Sequence, residues 1–173
     1  MIFNDGILWI AIKDGDPRGY EIMKRHYTFQ AYADGRRQNL FNRNRHLFVG
    51  PGQKMVLITP DNLALFVWRK FIDKSGQTGV NCAVFRNEGT NLSSELILQA
   101  EQLAACRWPG ERAYTYVSAK KIRSTNPGYC FLMAGWSKLE SVTIGKGLII
   151  LEKVLPRPAN KRLHATAQAR LFT

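Results

Sequence analysis

The segment VNCAVFRNEGTNLSSELILQAEQLAACRW, residues 80–108, decides the fold of this chain. Its first part, VNCAVF, is a continuous apolar run of the kind that forms a buried strand. An Arg, an acid and a Gly follow. Apolar residues then recur on one helical face, at Leu96, Ile97, Ala100, Leu103 and Ala104. The pattern predicts a strand, a tight loop and an amphipathic helix over 92–107.

The loop carries more chemistry than a turn requires. A helix N-terminus presents unpaired N–H groups and the positive end of the helix dipole, so it attracts phosphate. A Gly lets the backbone approach such a group, and an Arg adds a forked, charge-assisted donor. The loop predicts a pyrophosphate site, with an ordinary strand-to-helix turn as the alternative. The candidate ligands are Arg86, Gly89, Thr90, Asn91, Ser93 and Ser94.

Strands and helices alternate along the rest of the chain. Further strands are predicted at 7–12, 54–59, 63–71, 113–117, 141–144 and 147–155, and further helices at 17–32 and 128–135. The turn PDN at 60–62 predicts a hairpin between its flanking strands. Interleaved helices and paired strands favour an α/β (α+β) fold, with a mixed, mostly antiparallel sheet of about seven strands and helices on its faces.

Charge separates the chain into a neutral middle and two basic flanks. The net charge of the 173 residues is +12. Residues 51–106 hold five basic and five acidic residues, whereas 107–173 hold twelve basic and three acidic. The excess favours a polyanion partner such as nucleic acid, and a merely soluble basic protein is the alternative. We expect one domain over 1–155 and a basic tail over 156–173.

The composition also suggests a cellular setting. No apolar run approaches the ~18 residues needed to span a bilayer. The N-terminus lacks a basic region before its apolar run, so we expect no signal peptide and no membrane partner. Three widely spaced cysteines, Cys82, Cys106 and Cys130, predict buried free thiols in a reducing compartment. A cytoplasmic protein is the expectation.

Two parts of the chain resemble the GCN5-related N-acetyltransferase (GNAT) superfamily. There the fourth strand leads into an Arg/Gln-x-x-Gly-x-Gly/Ala loop and a helix that hold the coenzyme A pyrophosphate, and here RNEG supplies Arg86 and Gly89. The segment CFLMAGW (130–136) is similar to the superfamily's late helix, which ends in an FYxxxGF pattern. The resemblance covers the order of 7–155 and implies acetyl-CoA, or another acyl-CoA, as the cofactor.

The chain departs from this superfamily at two positions. Asn91 stands where the loop pattern has a second Gly or Ala. Phe131 stands at the place of the Tyr that often serves as the general acid, and a phenyl ring has no proton to donate. Tyr129, two residues earlier, is the candidate replacement.

A narrower resemblance is to phage and bacterial DNA-modification proteins of the Mom type. It rests on KRHY near the first helix, the basic loop after it, and then FRNEG, RWPG, YTYV and NPGYCFLMAGW. The resemblance implies an acetyl-CoA-dependent enzyme that converts the N6 amine of adenine in DNA to a carbamoylmethyl-type adduct and so blocks restriction nucleases. Iron is also associated with the family, but no two-His-one-carboxylate set is readable here.

This reading assigns roles to individual residues. His26 and Glu88 are candidate general bases, Tyr129 is the candidate acid, and Asn126 is placed to grip the edge of a flipped adenine. Structural roles for each of these residues are the alternative. The candidate DNA phosphate contacts are Arg36, Arg37, Arg43, Arg45, Lys120, Lys121 and Arg123.

Two competing functions stay open. One is an N-acetyltransferase that acts on a protein, a tRNA or a small amine. The other is a nucleic-acid-binding protein without catalysis, which uses only the charge. The tail is expected to add electrostatic affinity for DNA, and the alternative is a packed terminal helix, with a homodimer contact as one use for it.

Overall fold

The computed structural model describes residues 6, 8–29, 45–72, 76–122 and 124–157, and every structural statement below refers to them. The elements are β1 (Ile10–Ile12), α1 (Pro17–Arg25), a 3-10 turn (Tyr27–Phe29), β2 (Gln53–Ile58), β3 (Ala64–Lys70), β4 (Val80–Asn87), α2 (Ser93–Arg107), β5 (Arg112–Val117), α3 (Tyr129–Met133), β6 (Ser137–Val142) and β7 (Ile149–Val154). This order confirms the predicted alternation of helices and strands.

The strands form one seven-stranded sheet in the order β1-β2-β3-β4-β5-β7-β6. Every neighbouring pair is antiparallel except β4 and β5, which are parallel. The predicted mixed, mostly antiparallel sheet is therefore confirmed. So is the β2–β3 hairpin, whose turn is held by Asp61, since its carboxylate accepts hydrogen bonds from the Thr59 hydroxyl and the Leu63 N–H.

The first helix is shorter than the sequence predicts. Asp16 caps its start by accepting a hydrogen bond from the Arg18 N–H, but the helix ends at Arg25 instead of running through residue 29. At His26 the backbone is extended, and the Thr28 N–H donates to the His26 ring at 3.3 Å. A local bond of this kind competes with the helical ladder, and so explains the early end. Residues 30–32 of the predicted helix lie outside the described ranges.

Helices cover both faces of the sheet because alternate residues of a strand point to opposite sides. In β3, Phe66 and Trp68 pack with the α2 side of the core, whereas Leu65 and Val67 pack with Ile22 of α1. The Trp68 ring also donates a hydrogen bond to the Ala100 carbonyl of α2 at 3.1 Å. The central strands are thereby buried on both faces, which fixes the positions of the loops at their ends.

The last hairpin also differs from its prediction. The strand predicted over 141–144 lies at Ser137–Val142, and its pairing with β7 shifts register between Lys138 and Val142. The prediction followed the apolar run at 141–144 and so began this edge strand four residues too late. Most side chains of the observed strand are exposed, and apolar content does not mark them. Within the described ranges, no helix is both long and apolar enough to cross a bilayer. The three cysteines are free thiols, and Cys82 is buried.

Candidate functional site

The two central strands β4 and β5 separate halfway along their length. Their parallel pairing covers only Val80–Cys82 against Ala113–Thr115. At the fork, the buried Thr115 hydroxyl donates to the Cys82 carbonyl at 2.9 Å. Beyond it, β4 continues beside β3 and β5 continues beside β7. Parallel strands that part in mid-sheet leave a cleft with backbone groups on its walls that the sheet itself does not pair.

A cavity of about 240 Å³ lies in this opening. Its walls come from β4, β5, the turn after α1 and the segment leading into α3. The lining is aromatic, aliphatic or neutral polar: His26, Tyr27, Cys82, Ala83, Phe85, Thr115, Tyr116, Val117, Ile122, Ser124, Asn126, Gly128, Tyr129, Cys130 and Phe131. Among the described residues of this lining there is no Asp, Glu, Lys or Arg, so this part of the cavity suits a largely uncharged group.

The loop from β4 to α2 is organised by the side chain of Asn87. Its amide nitrogen donates to the Asn91 carbonyl at 2.7 Å and to the Ser93 hydroxyl at 3.0 Å, while its carbonyl accepts from the Gly89 N–H. A Cβ added at Gly89 would lie 3.3 Å from the Cβ of Leu63, so the loop packs closely against the β2–β3 turn. These bonds preform the loop that the sequence predicts as a phosphate site.

The start of α2 has no side-chain cap. Leu92 occupies the cap position and its side chain makes no hydrogen bond there. Ser93 does not replace it, because its hydroxyl accepts from Asn87. The Glu95 and Leu96 N–H groups donate to the Leu92 carbonyl, whereas the Leu92 side chain caps neither Ser93 nor Ser94. A helix terminus without a side-chain cap attracts anions. How these loop residues contact a ligand stays a prediction.

Arg86 and Glu88 belong to a surface ion cluster rather than to the cavity lining. Glu88 accepts two bonds from Arg25 of α1, at 2.8 and 2.7 Å, and one from Nε of Arg86 at 2.6 Å. These bonds, that of Arg25 first, lower the pKa of Glu88 to about 2. A carboxylate with that pKa and two guanidinium partners is a poor proton acceptor, so the geometry does not favour Glu88 as the general base.

His26 lies in the cleft but its ring is already engaged. It is buried, and its Nδ1 lies 2.8 Å from the Thr28 hydroxyl. Burial lowers the pKa of His26 to about 4, helped by the charge of Arg86 and opposed by a hydrogen bond with the Phe85 backbone. The ring is therefore neutral at pH 7. With both sides of the ring occupied, it is better suited to shaping the cleft than to abstracting a proton.

Tyr129 and Asn126 do reach the cleft from the segment before α3. Both line the cavity, and the Tyr129 N–H donates to the Asn126 carbonyl at 3.1 Å. The Tyr129 side chain is 53% exposed, which leaves its hydroxyl accessible. Phe131 is buried and packs edge-on against Phe85 and Trp136, as a ring in the cleft wall. Of the four predicted catalytic residues, three line the cavity, namely His26, Asn126 and Tyr129. Glu88 does not belong to the lining.

Two features of the site were not predicted from the sequence. Tyr27 of the 3-10 turn donates its hydroxyl to the Tyr116 carbonyl at 3.2 Å and lines the cavity. Glu101 of α2 is buried and accepts 2.6 Å bonds from Trp136 and Lys153, which ties α2 to the end of α3. A charged residue on the apolar side of a predicted helix was the available signal for Glu101.

Most of the predicted DNA contacts lie outside the described ranges. These are Arg36, Arg37, Arg43 and Arg123, together with the tail from residue 158. Lys120 and Lys121 are exposed in the turn after β5, and Arg45 is exposed before β2. Their role toward DNA stays a prediction. Iron receives no support from the described residues, which contain no cluster of three or more His, Cys, Asp or Glu suited to a metal ion.

No family model matches the chain, and no curated protein matches it. Among solved structures, two mutants of the spermidine N-acetyltransferase SpeG from Vibrio cholerae are similar, with TM-scores of 0.52 and 0.53 at 12% identity. Each similarity covers 85% of this chain and 92% of the other. A chimera of Vibrio cholerae SpeG and hSSAT reaches 0.50 at 12% identity, over 94% of this chain and 98% of that one.

At this identity the likeness establishes a shared fold. The chain therefore has the GNAT-like architecture that its sequence resemblance implies. The solved structures are named for spermidine acetylation, so they lend no support to the narrower Mom-type resemblance.

Proposed function

We propose that the protein is an acetyl-CoA-dependent N-acyltransferase whose acceptor is an amine. The main support for the proposal is that the cleft and the phosphate-type loop follow each other along one strand, β4. The cleft between the parted strands β4 and β5 lies at the end of the strand that leads, through a preformed loop, to the uncapped start of α2. A long ligand with a neutral arm and a phosphate group matches this arrangement.

Each part of that ligand has a fitting surface. The neutral cavity suits the pantetheine arm, because amide groups can pair with strand backbone that the sheet leaves unpaired. The N–H groups at the start of α2 suit the pyrophosphate, and we assign Arg86, near the end of the strand that leads into the loop, as its cation. Bound acetyl-CoA supplies the acyl group in activated form, as a thioester.

The reaction also requires two protonation states: a neutral amine and a protonated leaving thiol. An attacking amine must be neutral, and a cleft whose described lining holds no Asp or Glu favours the uncharged form of a bound amine. The departing thiolate needs a proton, and Phe131 cannot supply one. We assign this proton to the hydroxyl of Tyr129, which lines the cavity. The amine nitrogen gives up one proton as it forms the amide, and that proton restores the Tyr129 hydroxyl. Asn126 is assigned to hold the acceptor through its side-chain amide.

A small amine is the acceptor that the comparisons favour, since the similar structures belong to spermidine N-acetyltransferases. The described cavity lining holds no carboxylate to pair with a polycation, so we expect a monoamine or an aromatic amine in place of a polyamine. The test is acetyl transfer from labelled acetyl-CoA to a panel of amines, read by mass spectrometry. Transfer to spermidine in preference to every monoamine would contradict this choice of acceptor.

Adenine in DNA is the second candidate acceptor, and one observation favours it. The excess positive charge lies in the flanks of the chain, which is the distribution expected of a protein that grips a polyanion. An exocyclic amine on a flipped base is also neutral and aromatic, in keeping with the cavity lining. Mass spectrometry of nucleosides from DNA of expressing cells decides this point: unmodified adenine throughout would exclude it.

A further inference from the structure

Two consecutive side chains after α1, His26 and Tyr27, cross the opening between the parted strands. The 3-10 turn that starts at Tyr27 carries both toward the cleft, and both line the cavity. Together they reach from the β4 wall to the β5 wall. We call this pair the His26–Tyr27 bridge.

The β4 side of the bridge is held firmly. His26 is 6% exposed, its Nδ1 lies 2.8 Å from the Thr28 hydroxyl, and the backbone of Phe85 lies against its ring. The imidazole in turn stacks on the ring of Tyr27, with centroids 4.5 Å apart and planes inclined by 32°. The position of the Tyr27 ring is therefore set by a group that is itself fixed.

The β5 side is fixed by hydrogen bonds of the Tyr27 hydroxyl with the backbone, one at Tyr116 and one at Ser118. The Tyr27 hydroxyl donates to the Tyr116 carbonyl at 3.2 Å. Tyr116 is one residue beyond Thr115, the last residue of β5 that pairs with β4. The phenol thus connects with β5 at the point where β4 has left it, and the ring spans the gap.

We infer that the His26–Tyr27 bridge closes the cleft at the end where the acyl group would lie, and so restricts the protein to short acyl chains. The inference rests on the proposed function. A pocket that ends at a fixed aromatic wall discriminates by length, and one extra methylene against such a wall changes selectivity by about 10-fold or more. Tyr27 is accordingly assigned as a specificity-determining residue.

Calorimetry with CoA, acetyl-CoA and hexanoyl-CoA tests the bridge without a known acceptor. We expect the natural chain to bind acetyl-CoA at least about 10-fold more tightly than hexanoyl-CoA. In Tyr27→Ala this preference, taken as the ratio of the two affinities, should fall at least about 10-fold, whatever the change in affinity for CoA itself. Tyr27→Phe keeps the ring but loses its bond to the Tyr116 carbonyl, so its preference should lie between those of the natural chain and Tyr27→Ala. The matched control is Tyr20→Ala, since Tyr20 lies on α1 and packs against Phe29 and Phe48, outside the cavity lining.

Each contrary result has a distinct meaning. An unchanged acetyl preference in Tyr27→Ala, with normal CoA binding, would overturn the bridge and leave the proposed function standing. Failure of the natural chain to bind CoA would overturn both. If Tyr27→Ala does not fold, Tyr27→Leu replaces it, with melting as the check; loss of fold in both variants would assign Tyr27 to stability and overturn its role in specificity.

Discussion

The two halves of the β4–β5 junction are built from the same pair of strands and behave in opposite ways. In the closed half, Val80–Cys82 pairs with Ala113–Thr115, and the side chains of Asn81 and Thr115 add cross-strand bonds to backbone carbonyls. In the open half no such bonds exist among the described residues, and side chains from the turn after α1 stand between the strands. The difference shows that a binding cleft is made by ending a ladder early, at a point that buried polar groups define.

The largest expected effect removes a buried side chain next to the closed half. Trp68 of β3 pairs in the sheet with Cys82, is fully buried, and donates its ring N–H to the Ala100 carbonyl of α2. Trp68→Ala should lower the free energy of unfolding by about 3–5 kcal/mol, because it leaves a large cavity. Denaturant unfolding measures the effect. On the open half, Tyr129→Ala should change stability by less than about 0.5 kcal/mol, since that side chain is exposed; equal losses in the two variants would refute the contrast.

The next effect concerns binding at the rim of the open half. Arg86→Ala should weaken CoA binding by about 1.5–3 kcal/mol if its guanidinium meets the pyrophosphate. Calorimetry is the measurement. Arg18→Ala is the matched control, because Arg18 also pairs with a nearby carboxylate, that of Asp16, but lies at the start of α1. An affinity that Arg86→Ala leaves unchanged would remove Arg86 from the predicted ligands.

A smaller effect probes the fork itself. Thr115→Val preserves the shape of the side chain but leaves the buried Cys82 carbonyl without its hydroxyl partner. The expected cost in unfolding free energy is about 1–2 kcal/mol. Hydrogen exchange should rise at the amides of the paired segment more than elsewhere. An equal increase in exchange rate across the whole sheet would mean that the Thr115 hydroxyl does not specifically stabilise the β4–β5 pairing at the fork.

The last expected effect is a pH dependence of stability that comes from the bridge. In the folded chain the pKa of His26 is lowered to about 4, mainly by burial, and it returns to its ordinary value of about 6.5 on unfolding. Between these values the unfolded chain binds more protons. Stability therefore falls as pH drops from about 6.5 toward 4, with a slope approaching 1.4 kcal/mol per pH unit. Urea unfolding of the natural chain and of His26→Asn should show the slope in the first and its reduction in the second.

The sheet and its helices were largely predictable because their signals are local. The apolar runs of β2, β3 and β4 and the helical spacing of α2 need only neighbouring residues to be read. The ends of the elements were harder to predict. Helix α1 ends early because the Thr28 N–H donates to the His26 ring. Strand β6 has no buried side chain that would mark its bounds. The loop before α2 was predictable as a strand-to-helix connection because its signals are local too, and its role as a phosphate site stays a prediction.

Roles within the cleft depended on distance in space. The sequence by itself determined the order of the elements, the position of the loop that holds Arg86 and Gly89, and the absence of a Tyr at Phe131, since each follows from residue type and spacing. Only the tertiary structure decided that Glu88 is held between Arg25 and Arg86 and that Tyr27 reaches Tyr116, 89 positions away along the chain. Ionisation and hydrogen bonding depend on groups within a few ångströms, and the chain order does not encode which distant groups those are.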